Sequence, residues 1–136
     1  MVKLASTYAL LAALFVAIDS LYLFSFGVKM FRSALGDVMA NEINVSAGVL
    51  FYLLFPVGLL IFAVMPAMAQ DRWGVALVQG ALFGFFAYAT YDLTNLATIR
   101  NWTWGIALVD VAWGTFLGGL ASTLAFLAQR AIFASN

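Results

Sequence analysis

Long apolar stretches alternate along this chain with short polar breaks, and the intervals between breaks fit the thickness of a lipid bilayer. A membrane-spanning helix needs about 20 mainly apolar residues, and four windows meet that length: 4–27, 46–69, 74–99 and 104–128. Gln70-Asp71-Arg72-Trp73 forms a tight polar turn between the second and third, and Arg100-Asn101-Trp102-Thr103-Trp104 forms another between the third and fourth. The tryptophans of both turns are expected at the headgroup level, where an amphipathic ring is best placed. Links this short join antiparallel neighbours. The pattern predicts an all-α fold, an integral-membrane four-helix transmembrane bundle forming one domain over residues 1–136, with spans 2, 3 and 4 packed in sequence.

The first connection is longer. Val28, Phe31, Leu35, Val38 and Met39 recur at helical spacing, with Lys29, Arg32, Ser33 and Asp37 between them. That spacing reads as a short amphipathic helix over 28–39 lying in the interface plane; the alternative is an extension of the first span into the headgroups. Small-residue pairs that permit close helix contact occur at Gly80 and Gly84 on span 3 and at Gly114 and Gly118 on span 4. Ala9, Ala13 and Ala17 make a similar ridge on span 1, and Pro56 and Pro66 predict kinks in span 2. Lys3 precedes the first apolar run, as in a secretory signal, whose core is about 7–15 residues ending at a small-x-small site. Here the run continues to Gly27, and Phe15 stands two positions before Ala17, so a retained span is expected.

Composition supports lipid as the solvent. Apolar residues make up 65% of the chain and charged residues only 9%, whereas a soluble domain carries roughly a quarter. Six Lys plus Arg balance six Asp plus Glu, so there is no basic stripe for nucleic acid and no polybasic tail for anionic lipid. Cysteine and histidine are both absent, which removes thiol chemistry and the commonest acid-base residue and metal ligand. A metal held by the remaining residue types would be a hard divalent cation. No ligand motif of familiar spacing is present, so no cofactor is evident. Lys3, Arg72 and Arg130 fall on one side and Lys29, Arg32 and Arg100 on the other. That tie gives the positive-inside rule nothing to act on; both termini are expected in the cytoplasm, and dual insertion stays open.

Three acids inside the spans change the picture. Asp19 lies eight residues before Gly27, Asp92 eight before Arg100, and Asp110 eight after Trp102. At the helical rise each is about 12 Å from its helix end, and in an alternating bundle all three ends share one side. The carboxylates therefore fall in one layer. Residues three or four apart share a helix face, which sets Tyr22 beside Asp19, Tyr88 and Asn95 beside Asp92, and Trp113 beside Asp110. Tyr52 reaches a similar depth, and Arg100 is placed to fold inward; Ser20, Tyr91 and Thr94 are expected to point elsewhere. A lone intramembrane Asp often serves only as a helix-helix hydrogen bond. Each costs about 2.5–3.5 kcal/mol to insert near a helix centre, so three at a matched depth, without an internal cation, mark a polar pocket that shares a proton or a cation.

Tyr91-Asp92-Leu93-Thr94-Asn95-Leu96-Ala97-Thr98, then Arg100-Asn101-Trp102, then Asp110-Val111-Ala112-Trp113-Gly114 resemble an uncharacterised bacterial family of small, four-span predicted membrane proteins, catalogued as a domain of unknown function. The resemblance covers nearly the whole chain and implies a multi-pass protein of the bacterial inner membrane. It assigns no activity.

Three functions suit these residues. The first is binding or modification of a membrane lipid or small amphiphile, with Asp92, Asp110 and Asp19 as acid-base groups and Tyr22, Tyr52, Tyr88, Asn95, Arg100 and Trp113 orienting the ligand. The second is proton- or cation-coupled transport through Asp19, in outline like the small multidrug transporters that dimerise in opposite orientations. The third is a non-enzymatic subunit whose glycine ridges contact a membrane-protein partner or a second copy. The same residues suit an enzyme and a binding protein alike.

Overall fold

Lipid offers the backbone no hydrogen bonds, so each spanning segment must satisfy its own peptide groups. The computed structural model, which describes residues 2–39 and 42–134, does so with four helices and, among the described residues, no strand. Helix α1 runs Val2–Val38, α2 Val45–Gln70, α3 Trp73–Thr98 and α4 Trp104–Ala134. All four are long and apolar enough to cross a membrane. They alternate in direction, and α3 and α4 make the most extensive pair, with α1 packed on α4.

The α3–α4 pairing follows from its glycines. A Cβ on Gly80 would strike the carbonyl of Gly118, one on Gly118 the carbonyl of Gly80, and one on Gly84 the carbonyl of Gly114. The two GxxxG pairs thus meet each other, backbone against backbone. Helix α1 packs differently from the expectation. Ala9, Ala13 and Ala17 are exposed, and the buried stripe is Thr7, Leu11, Phe15 and Asp19. Large side chains fill this seam: Leu11 and Phe15 join Leu59, Leu60, Val64 and Leu117 in the main core, and Phe15 stacks on Phe55 at 4.9 Å. An alanine ridge would leave that space empty.

The helix expected over 28–39 forms as Val28–Leu35, but no loop separates it from the first span. A π turn at Leu23–Gly27 carries the helix straight on, and Gly36, at a φ of 49°, ends it. A path of 37 residues is about 55 Å long, well beyond the roughly 30 Å hydrocarbon layer, so its last turns overhang. Lys29 and Arg32 are exposed on this overhang. Part of its apolar stripe is spent on protein: Phe31 and Leu35 pack over Trp102, Ile106 and Ala107 and roof that end of the bundle, while Val28 and Val38 stay exposed.

Helix α2 begins at the side chain of Asn44, which accepts from the backbone N–H of Ala47 at 3.2 Å. Pro56 lies inside its first half, Val45–Leu59, and a π turn at Leu60–Val64 precedes Pro66. Proline lacks an N–H and crowds the carbonyl one turn back, and a widened turn relieves this. The consequence is positional. The π turn packs against α3, while the first half lies on α1 and scarcely touches α3. The two helices part toward the roofed end. The opposite end is closed by Asp71, in the left-handed conformation, whose carboxylate pairs with Arg130 at 3.2 Å.

Candidate functional site

All three intramembrane acids are buried, with Asp19 4%, Asp92 0% and Asp110 6% exposed. They gather at the roofed end, as their common depth requires. Their hydrogen bonds are unequal. Asp19 accepts from the Tyr52 hydroxyl at 2.7 Å and from the indole N–H of Trp113 at 2.9 Å, one donor for each oxygen. Asp92 accepts from the indole N–H of Trp102 at 3.2 Å through Oδ1, while its buried Oδ2 has no donor. Asp110 lies within hydrogen-bonding reach of Asp92.

Beside these acids lies a cavity of about 480 Å³. Asp19 and Tyr22 of α1 and Asp110 and Trp113 of α4 make its back wall, Tyr52 and Phe55 of α2 one flank, Tyr88 and Tyr91 of α3 the other, and Phe31 its roof. Tyr22 stacks on Trp113 with ring centres 4.3 Å apart and planes 11° from parallel, and the buried Tyr22 hydroxyl has no partner. Gly114 makes room for Tyr88, since a Cβ there would strike the tyrosine ring. The flanks belong to the two helix halves that part from one another, and the Phe55 and Tyr88 rings meet edge to face across them at 5.9 Å.

The structure therefore brings Asp19, Tyr22, Tyr52, Tyr88, Asp110 and Trp113 together around one space, with Asp92 immediately behind Asp110. Asn95 is half-buried and does not line the cavity. Arg100 is exposed and forms no ion pair with the acids. Two pairings differ from helix-face arithmetic: Trp113, a neighbour of Asp110 on α4, donates across to Asp19, and the donor to Asp92 is Trp102. Trp102 is only 6% exposed, so it is not a headgroup anchor; the turn folds it inward under Phe31. Tyr91 is a cavity residue that face-counting from Asp92 misses. Among the described residues no group of three His, Cys, Asp or Glu is arranged to hold one metal ion.

A family model described as "Predicted membrane protein (DUF2177)" matches residues 4–127. The chain belongs to that family. The match bears out the resemblance read from the Tyr91–Asn95 and Asp110–Gly114 strings, and the DUF2177 region contains the acids and every cavity residue named above. No curated protein and no solved structure matches the chain. Family and helices together make this a multi-pass membrane protein.

Proposed function

We propose that this protein binds a lipid-like or small amphiphilic molecule, the polar end against the carboxylates and the tail leaving between α2 and α3. The observation that supports this is the cavity where α2 and α3 part, ringed by aromatic side chains and lined by the carboxylates of Asp19 and Asp110. Its volume lies in the range of about 300–1,000 Å³ that holds small molecules. Among the described residues no tyrosine or indole donates to Asp110, which lines the space, so a polar head is a partner it can take. If the bound molecule is also modified, Asp110 backed by Asp92 is the acid-base pair in reach of it. The bacterial inner membrane is the setting we propose, since spanning helices suit it and the outer membrane takes barrels.

Native mass spectrometry of the protein released from mild detergent tests the reading. Wild type is expected to carry an amphiphile, and Ala87→Trp, which fills the cavity from its α3 wall, is expected to carry none while remaining folded. A wild type that is empty, and stays empty when membrane lipid extract is added, overturns it.

A further inference from the structure

The charge and donor inventory of the cavity narrows its ligand. Two carboxylates line it and a third sits behind, and no Lys or Arg is among the lining residues. Lys29, Arg32 and Arg100 are exposed outside it. The protein gives the six carboxylate oxygens three donors, all neutral: the Tyr52 hydroxyl and the indoles of Trp113 and Trp102. Asp92 Oδ2 is buried without a donor, and none of these three donors goes to Asp110. Around them stand aromatic faces, including the stacked Tyr22–Trp113 pair.

These features discriminate among polar heads. A head whose only charge is a phosphate or carboxylate would add negative charge to buried acids with no counter-charge among the lining residues. An alcohol would donate one hydrogen bond and leave the charge standing. An ammonium group supplies what is missing: a positive charge for the carboxylates, and a cation for the electron-rich ring faces. We infer that the cavity selects amphiphiles whose head is a cationic amine. This rests on the amphiphile reading above and adds the chemistry of the head. The amine has two sources, the headgroup of an ethanolamine phospholipid or a free amine carrying an apolar tail.

The test uses the full chain in a neutral maltoside detergent, with Trp73→Phe and Trp104→Phe removing the two exposed indoles so that fluorescence reports Trp113 and Trp102. Dodecylammonium, whose head carries three N–H donors and a positive charge, dodecanol and dodecanoate are titrated in turn at neutral pH. The ammonium compound is expected to saturate at a concentration at least about tenfold below that of dodecanol, and dodecanoate to give no saturable change. Asp110→Asn should weaken the ammonium titration by about tenfold or more, and Tyr22→Leu, which keeps every acid, should weaken it too; circular dichroism confirms that each variant is folded. Added phosphatidylethanolamine separates the sources: displacement of the ammonium probe assigns the lipid headgroup, and an unmoved titration assigns a free amine. Dodecanol binding as tightly as the ammonium compound overturns amine selection and leaves amphiphile binding standing. If none of the three saturates, both readings fall.

Discussion

The unequal treatment of the acids predicts that two superficially similar substitutions move stability in opposite directions. Asp92→Asn keeps an oxygen for the Trp102 indole and replaces the donor-less Oδ2 with an amide that has two hydrogens facing Asp110. A hydrogen bond to a charged acceptor contributes about 1.5–3 kcal/mol, so a gain of about 2 kcal/mol is expected. At about 3 °C per kcal/mol for a chain of this length, melting should rise by roughly 6 °C. Asp19→Leu does the reverse. It strands the Tyr52 hydroxyl and the Trp113 N–H, each at about 1–3 kcal/mol. Tyr52 is only partly buried, so a loss of about 3 kcal/mol, or roughly 9 °C, is expected. Asp19→Asn should fall between, because a tyrosine hydroxyl can accept from the amide while Trp113 keeps its oxygen. Thermal unfolding in maltoside, followed by tryptophan fluorescence, measures all three. If Asp92→Asn melts as far below wild type as Asp19→Leu does, Asp92 is an ordinary structural acceptor and the unserved pair is wrong.

Three further outcomes follow from the packing. Gly84→Leu drives a side chain into the Gly114 carbonyl and should cost about 3 kcal/mol or more, seen as loss of the folded peak in size-exclusion chromatography; Gly74→Ala, where a Cβ meets nothing, should leave that peak intact. Trp102→Phe removes the one donor to Asp92 and should lower stability by about 1–2 kcal/mol, with non-additivity in a double-mutant cycle with Asp92→Asn. The native chain has no cysteine, so Arg72→Cys and Asn101→Cys give clean single thiols at opposite bundle ends. An impermeant maleimide should label each from a different side of the membrane; labelling of both from both sides would show dual insertion.

The spans and their turns were legible because a bilayer sets one length and hydropathy reports it directly. The common depth of Asp19, Asp92 and Asp110 was legible by counting, since rise per residue converts position to depth without knowledge of rotation. What stayed hidden depends on rotation and on turn geometry. The exposed Ala9–Ala13–Ala17 ridge and the buried Thr7–Leu11–Phe15–Asp19 stripe lie on different faces of one helix, and small-residue spacing cannot choose between them. Trp102 sits in a turn that reads as interfacial, and only the chain reversal there brings its indole back ten residues to Asp92. The apolar stripe of the overhang was visible, but its choice of the bundle end over lipid was not, because a Phe31 face suits either.

The contrast between Asp19 and the Asp92–Asp110 pair carries the functional argument further than burial alone. Each acid costs about 2.5–3.5 kcal/mol to place in the hydrocarbon, and Asp19 shows how this fold offsets that cost: two neutral donors from two other helices, one per oxygen. The same means are at hand around Asp110, since the Tyr22 hydroxyl is buried, unpartnered and on the same cavity wall. A purely structural acid would have drawn that hydroxyl to itself. Instead the Tyr22 hydroxyl stays buried without a partner and Asp110 draws no indole or tyrosine donor, although both residues line one cavity. A bundle that can settle one acid yet leaves the pair unsettled beside a cavity holds capacity in reserve for what enters it, and a donor-rich cation is the head that uses both.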